Sequence, residues 1–227
     1  MKPISRLALL LAPLVLVACS KKEETAPAPA VVVAPATTPA AAPAPAPTPV
    51  PAEMTAEQKE TEERQQKLDY ATMEDKYIND PRGQWASGAN ASSTFGDPKP
   101  SNSNMAPNTL LGAPDGKHWI NKSQDVGFEW AEFSYDKPVQ ATEVRLVIND
   151  GNGVEAINKV ELQDTEGKWT TVWTGLSDVK RDRRGNRTWF VRTFEKTPYQ
   201  VKAVKYTIAN NVERGYKYFD AAQLVGD

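Results

Sequence analysis

Cysteine is almost missing. Cys19 is the one cysteine in 227 residues. No intramolecular disulfide can form, although small exported domains commonly rely on them. A folded part must therefore hold together by burial alone, or with a metal. Histidine is equally scarce. His118 has no second histidine or cysteine with which to build a transition-metal site, and it reads as a surface residue in a loop. Charge of one sign is missing as well. The chain has 27 Lys and Arg against 29 Asp and Glu, and residues 80–227 hold 19 of each. A nucleic-acid binder carries a clear basic excess, so this balance argues against nucleic acid as a partner. Catalytic signatures are missing too. Nothing like Gly-x-Ser-x-Gly occurs, and no local pattern points to a pair of catalytic carboxylates. The expectation is a protein that is not an enzyme.

The apolar run at residues 7–17 is about 11 residues long. That is too short for a membrane-spanning helix, which needs roughly 20. With Lys2 and Arg6 before it, it has the proportions of a secretion signal over residues 1–18. It ends in Leu16-Val17-Ala18-Cys19, which resembles the lipobox of bacterial lipoproteins. That resemblance implies cleavage before Cys19, diacylation of its sulfur and acylation of the new amino end. Each buried methylene contributes about 0.8 kcal/mol, so one chain binds weakly and several bind firmly. The expected partner is a membrane. Ser20 follows where aspartate marks inner-membrane retention in enteric bacteria, so the expected place is the cell envelope at the outer membrane.

Residues 19–52 form a lipidated Pro/Ala-rich linker. Nine of the 18 prolines fall in 25–52. Such a composition cannot bury enough apolar surface to fold. Fully extended, it would span on the order of 85 Å at about 3.1 Å per residue. Residues 53–80 read as a charged helix. Thr55 and Gln58 fit a capping box, and Glu60/Arg64 and Glu63/Lys67 fit i,i+4 pairs. Tyr70, Met73 and Tyr77 share one face and would dock that end on the following domain. Asp80-Pro81-Arg82-Gly83 stops the helix.

Residues 81–227 change character. Strand-like runs recur at 128–135, 143–149, 156–164, 169–173, 188–194, 201–208 and 218–225. Val144, Leu146 and Ile148 share one face, as do Val160 and Leu162. Turn signals separate the runs: Asp136-Lys137-Pro138, Asp150-Gly151-Asn152-Gly153, Glu166-Gly167, Arg184-Gly185-Asn186 and Arg214-Gly215. Short strands with turns and no crossover helices predict an all-β fold, an antiparallel sandwich or barrel. Trp130, Trp169, Trp173 and Trp189 lie inside strands and are expected in the core. Lys180, Arg181, Arg183, Arg184 and Arg187 bracket the Gly-Asn turn. They read as a solvated hairpin tip, or as a contact for anionic sugars or lipid head groups.

Several stretches occur in a telling order: residues 85–95 (WASGANASSTF), 110–115 (LLGAPD) with Trp119, 130–133 (WAEF), Thr142-Glu143-Val144-Arg145-Leu146, Lys159-Val160-Glu161-Leu162, Gly167-Lys168-Trp169 and 220–225 (DAAQLV). Together they resemble the discoidin, or coagulation factor 5/8 type C, group of galactose-binding-like jelly-roll domains. The resemblance implies an eight-stranded β-sandwich jelly roll whose loops at one end bind a ligand. That ligand is usually a sugar, sometimes a phospholipid head group or a protein. It also implies a structural calcium near 112–119, with Asp115 as first ligand. The closing strand offers Asp220 and Gln223 where the group commonly has a glutamate. Asp115 fits equally a Pro-Asp-Gly turn that needs no metal.

Sugars are held by aromatic faces and by planar polar groups. On that ground the candidate ligand-binding residues are Arg214 and Tyr216, then Arg181, Arg183 and Arg184. Trp119 is a further stacking candidate, although the resemblance also implies a structural role for it. The expected function is a membrane-anchored, non-catalytic lipoprotein that binds carbohydrate such as cell-wall or surface polysaccharide. The alternative is an envelope scaffold that binds another envelope protein.

Overall fold

A computed structural model describes residues 53–96 and 107–227. The lipobox with Cys19 and the Pro/Ala-rich linker lie outside the described residues.

Helix α1, Ala56–Ile78, starts as its sequence dictates. The Gln58 N–H donates to Thr55 Oγ1 (3.3 Å), and the Thr55 N–H donates to Gln58 Oε1 (2.8 Å), a reciprocal capping box. The first half is solvated, with Arg64 and Glu60 paired at 3.0 Å on the surface. The second half turns Met73, Tyr77 and Ile78 onto a small cluster of Val147, Trp189 and Ala221. Its end is held electrostatically. The Arg145 guanidinium is 96% buried and donates to Gln223 Oε1 (2.8 Å), Asp80 Oδ2 (2.9 Å) and the Tyr77 carbonyl (3.3 Å). A cation at a helix C-terminus meets the negative end of the backbone dipole. Burial pushes the Asp80 carboxyl up, and the donors of Arg82 and Arg145 more than offset it, leaving it below the usual range.

Ten strands follow among the described residues: β1 (Gly83–Trp85), β2 (Gly88–Ala91), β3 (Trp119–Ile120), β4 (Phe128–Val139), β5 (Ala141–Asn149), β6 (Ile157–Asp164), β7 (Trp169–Thr174), β8 (Arg187–Thr193), β9 (Val201–Ala209) and β10 (Tyr218–Gly226). The first sheet runs β1-β10-β5-β8, with β3 also on β10; the second runs β2-β4-β9-β6-β7. Every pairing is antiparallel. The all-β sandwich is therefore as expected. The described residues hold ten strands, against the eight implied by the resemblance and the seven read as runs in the sequence. The additions β1, β2 and β3 are two to four residues long and too short to carry an alternating pattern.

The core lies between the sheets. Val144, Leu146 and Ile148 of β5 meet Phe133 of β4, Val160 and Leu162 of β6, and Tyr206 of β9. Fully burying such side chains contributes roughly 1.5–3 kcal/mol each. Val147 points the other way, beneath α1, on a face it shares with Glu143, Arg145 and Asn149.

Three expectations need correction. Asp136-Lys137-Pro138 is not a turn. β4 continues through it with a register irregularity between Ser134 and Val139, and the chain changes sheets at Gln140. The basic segment is not a hairpin tip, because β7 and β8 belong to different sheets and residues 175–186 cross between them. Trp173 packs against the core and Trp189 is buried on the opposite face of its sheet, beneath α1, but Trp130 and Trp169 stand on the outer face of the second sheet. There the Lys205 ammonium lies 5.2 Å and 3.9 Å from their rings.

Candidate functional site

The strand registers bring these connections to one end of the sandwich: residues 92–96 after β2, 121–127, 150–156, 175–186 and 210–217. A buried polar network underlies them. Asn121, Asn210 and Lys217 are fully buried and Glu129 nearly so. Asn121 Nδ2 donates to Glu129 Oε2 (2.7 Å) and Asn210 Nδ2 donates to the same oxygen (2.9 Å). The Lys217 N–H donates to Asn121 Oδ1 (2.8 Å). The Lys217 ammonium donates to the carbonyls of Gln124 (3.1 Å) and Gly215. Burial pushes the Glu129 carboxyl up, and donors from Ser93, Asn121, Asn210 and the Ser123 N–H bring it below the ordinary range. Burial pushes the Lys217 ammonium down, against the pull of Glu213, Glu129 and Asp125.

At the ends of β5 and β8 lies a cleft of about 400 Å³ lined by Gly116, His118, Asn149, Asp150, Asn186 and Arg187. Each wall has a local cause. β5 ends at Asn149, where Asp150 (φ 52°) and Gly151 (φ 69°) turn the chain through left-handed conformations. A Cβ on Gly151 would stand 2.6 Å from Arg181 Cγ and 2.8 Å from Thr188 Oγ1, so glycine is required there. Asn149 Nδ2 donates to the Gly116 carbonyl (3.1 Å) and reaches His118 Nδ1 (3.1 Å). His118 Nδ1 also lies 3.4 Å from the Gly116 carbonyl, so the Asn149 amide and the Gly116 carbonyl both address that nitrogen. The ring lies against Tyr218, with centroids 4.7 Å apart and planes tilted by 31°.

Asp220 secures the other side. Its carboxylate is 99% buried and accepts the N–H groups of Asp115 (3.2 Å) and Gly116 (3.1 Å) and the Arg187 Nε–H (3.4 Å). Burial raises its pKa, partly countered by these donors. Asp115 instead pairs with Lys117 Nζ at 2.8 Å. The two carboxylates therefore do not converge. Hard calcium needs a shell of oxygens, whereas Asp220 faces N–H donors and a guanidinium. No group of three or more His, Cys, Asp or Glu side chains suited to a metal occurs among the described residues. The pair Asp115 and Asp220 does not fit a calcium site; they are turn-holding residues.

The other sequence candidates fall as follows. Trp119 is fully buried against Phe219 (5.4 Å), and its Nε1–H donates to the Ser93 carbonyl (2.9 Å). It offers no face to a ligand, which corrects its candidacy. Arg214 is exposed and Tyr216 half-buried on the 210–217 loop, and Tyr216 packs edge-on against Phe95 at 4.8 Å. Both are at the loop end but outside the cleft lining. Arg181 borders the cleft through Asp150, 3.7 Å away. Arg184 is chelated by Asp182, with its shortest contact at 2.7 Å. Arg183 and Arg184 face a groove shared with Glu63, Gln66 and Lys67 of α1. Sequence reasoning missed His118, Asn149, Asn186 and the role of Arg187. The available signals were the Asn149-Asp150-Gly151 strand end and a histidine next to a core tryptophan.

No family model matches this sequence, and no curated protein matches it. Solved structures are similar to it in fold. One is the F5/8 type C domain of a Bacteroides fragilis protein, at 13% identity and TM-score 0.49, covering 65% of this chain and 98% of that one. Another is chitosan-binding module 1 of a chitosanase/glucanase from Paenibacillus sp. IK-5, at 17% identity and TM-score 0.45, covering 61% and 94%. A third is the family 32 CBM from C. perfringens NanJ in complex with galactose, at 17% identity and TM-score 0.43, covering 63% and 98%.

Proposed function

We propose that this chain is a carbohydrate-binding protein that holds a neutral sugar in the loop-end cleft. The observation that carries this reading is the convergence of His118, Asn149, Asp150, Asn186 and Arg187 on one open cleft of about 400 Å³. Ligand sites typically measure roughly 300–1,000 Å³ and rely on a few fixed polar groups. The His118 imidazole, held by its Asn149 contact and by the Tyr218 ring, offers a polar ring edge. Asn186 adds a planar amide and Asp150 an acceptor for hydroxyls. The charges are compensated, Arg187 by Asp220 and Glu74, and Asp150 by Arg181, which suits a neutral ligand. The role is binding, with the sugar released unchanged.

Calorimetric titration of the full chain with galactose, glucose and N-acetylglucosamine tests this. At least one sugar binds saturably, and His118→Ala weakens it tenfold or more, equivalent to about 1.4 kcal/mol. Equal affinity of the variant, or no binding across the panel, contradicts the reading.

The membrane anchor belongs to the same proposal and rests on the pattern at residues 1–19. A chain processed and acylated at Cys19 would present the cleft from the outer membrane, beyond the linker. Mass spectrometry of the chain recovered from bacterial membranes should find a lipid-bearing peptide beginning at Cys19. Cys19→Ser should release the protein into the soluble fraction. An unmodified Cys19 in that fraction would refute the anchor.

A further inference from the structure

Helix α1 reaches the wall of the cleft. The Tyr70 hydroxyl donates to the Arg187 carbonyl at 2.9 Å. The Tyr70 ring lies flush on Gly185, where an added Cβ would stand 2.2 Å from Tyr70 Cε1. Glu74 Oε1 accepts from Arg187 Nη1 at 3.3 Å. The same guanidinium donates through Nε to Asp220, which carries the Gly116 N–H. An unbroken series of polar contacts thus runs from Glu74 through Arg187 and Asp220 to Gly116. Gly116, Asn186 and Arg187 all line the cleft. The apolar seat of the helix is small, with Val147, Trp189 and Ala221 as its buried members. These polar contacts dock the Tyr70–Glu74 turn of the helix alongside that apolar seat.

We propose that α1 is a positioning element for the cleft, so that docking of the helix and occupancy of the cleft by a sugar are coupled; this rests on the sugar reading above. Coupling between two sites is reciprocal. A sugar that needs Arg187 and Asn186 in place stabilises the docked helix. Releasing the helix lowers sugar affinity by the same factor. Glu74 and Tyr70 act through Arg187 and touch no ligand themselves.

Amide hydrogen exchange on the full chain tests this, with and without the tightest-binding sugar of the panel, galactose first. The expected result is slower exchange at residues 70–78 of α1 as well as at 116–118 and 149–150 when sugar is present. Glu74→Ala should weaken that sugar about fivefold or more, and Glu74→Gln, which keeps the acceptor oxygen, should restore most of the loss. Thr55→Ala, at the far end of the same helix, should leave affinity unchanged. Protection of the cleft without protection of α1, or full affinity in Glu74→Ala, overturns the coupling alone. No effect of any panel sugar on the wild-type chain overturns the sugar reading and the coupling with it.

Discussion

Lys217 carries its ammonium into a pocket of backbone carbonyls from two loops. Burial holds its pKa below the ordinary 10.5, partly opposed by Glu213, Glu129 and Asp125. Between the folded and unfolded values the unfolded chain binds more protons, so stability rises with pH there. Urea unfolding across pH 8 to about 10.4 should show the wild type gaining stability relative to Lys217→Met; a constant difference would contradict this. Gly185 makes a second residue-scale prediction. Its missing Cβ leaves room for the Tyr70 ring, and overpacking typically costs about 1–3 kcal/mol. Gly185→Ala should lose roughly that much in urea unfolding, and an unchanged midpoint would refute the contact. The site was partly legible at this scale. Asp115 and Tyr216 lie in loops, as the turn signals beside them implied, because turn chemistry is local. Their partners were not legible. Whether Asp220 meets a cation or an N–H depends on a loop about 100 residues away, and Trp119 is buried because β10 closes over it.

Elements were more legible than residues. The α1 capping box and the docking face of Tyr70, Met73 and Tyr77 were readable because both depend on spacings of three and four residues. Seven strands were readable from alternation. β1, β2 and β3 were not, since they exist by pairing with β10 and β4 and carry little pattern of their own. The bulge at Asp136-Lys137-Pro138 reads locally as a turn because proline and aspartate favour turns. Tertiary pairing draws it into β4 instead. The two halves of α1 differ in support. Thr55→Ala removes a cap worth about 0.5–2 kcal/mol to the helix, yet that end is exposed. The variant should speed amide exchange near residues 56–60 and leave the melting temperature of the sandwich unchanged. A lowered melting temperature would mean the first half of α1 is packed after all.

For the whole molecule, buried phenols set the alkaline limit. Burial raises Tyr70 to about 12, with Glu74 adding to the rise and Arg187 opposing it. Burial also raises Tyr135 and Tyr206. A group with a raised folded pKa contributes stability that is full below its unfolded value and is lost as pH rises. The fold should therefore lose stability above pH about 10, with tyrosine ionisation and unfolding coinciding in a spectroscopic titration. Ionisation without unfolding would contradict the burial of these rings. The balance of 19 acidic and 19 basic residues over 80–227 points the same way as the compensated charges of the cleft. Sugar affinity should accordingly change little between low and high salt, where screening weakens exposed charge contacts.

The most direct test is an NMR titration of the full chain with the panel sugars, following backbone and side-chain resonances. The account predicts saturable shifts centred on His118, Asn149, Asp150, Asn186 and Arg187. Shifts centred instead on Arg214 and Tyr216, on the Trp130 and Trp169 face, or nowhere would contradict it.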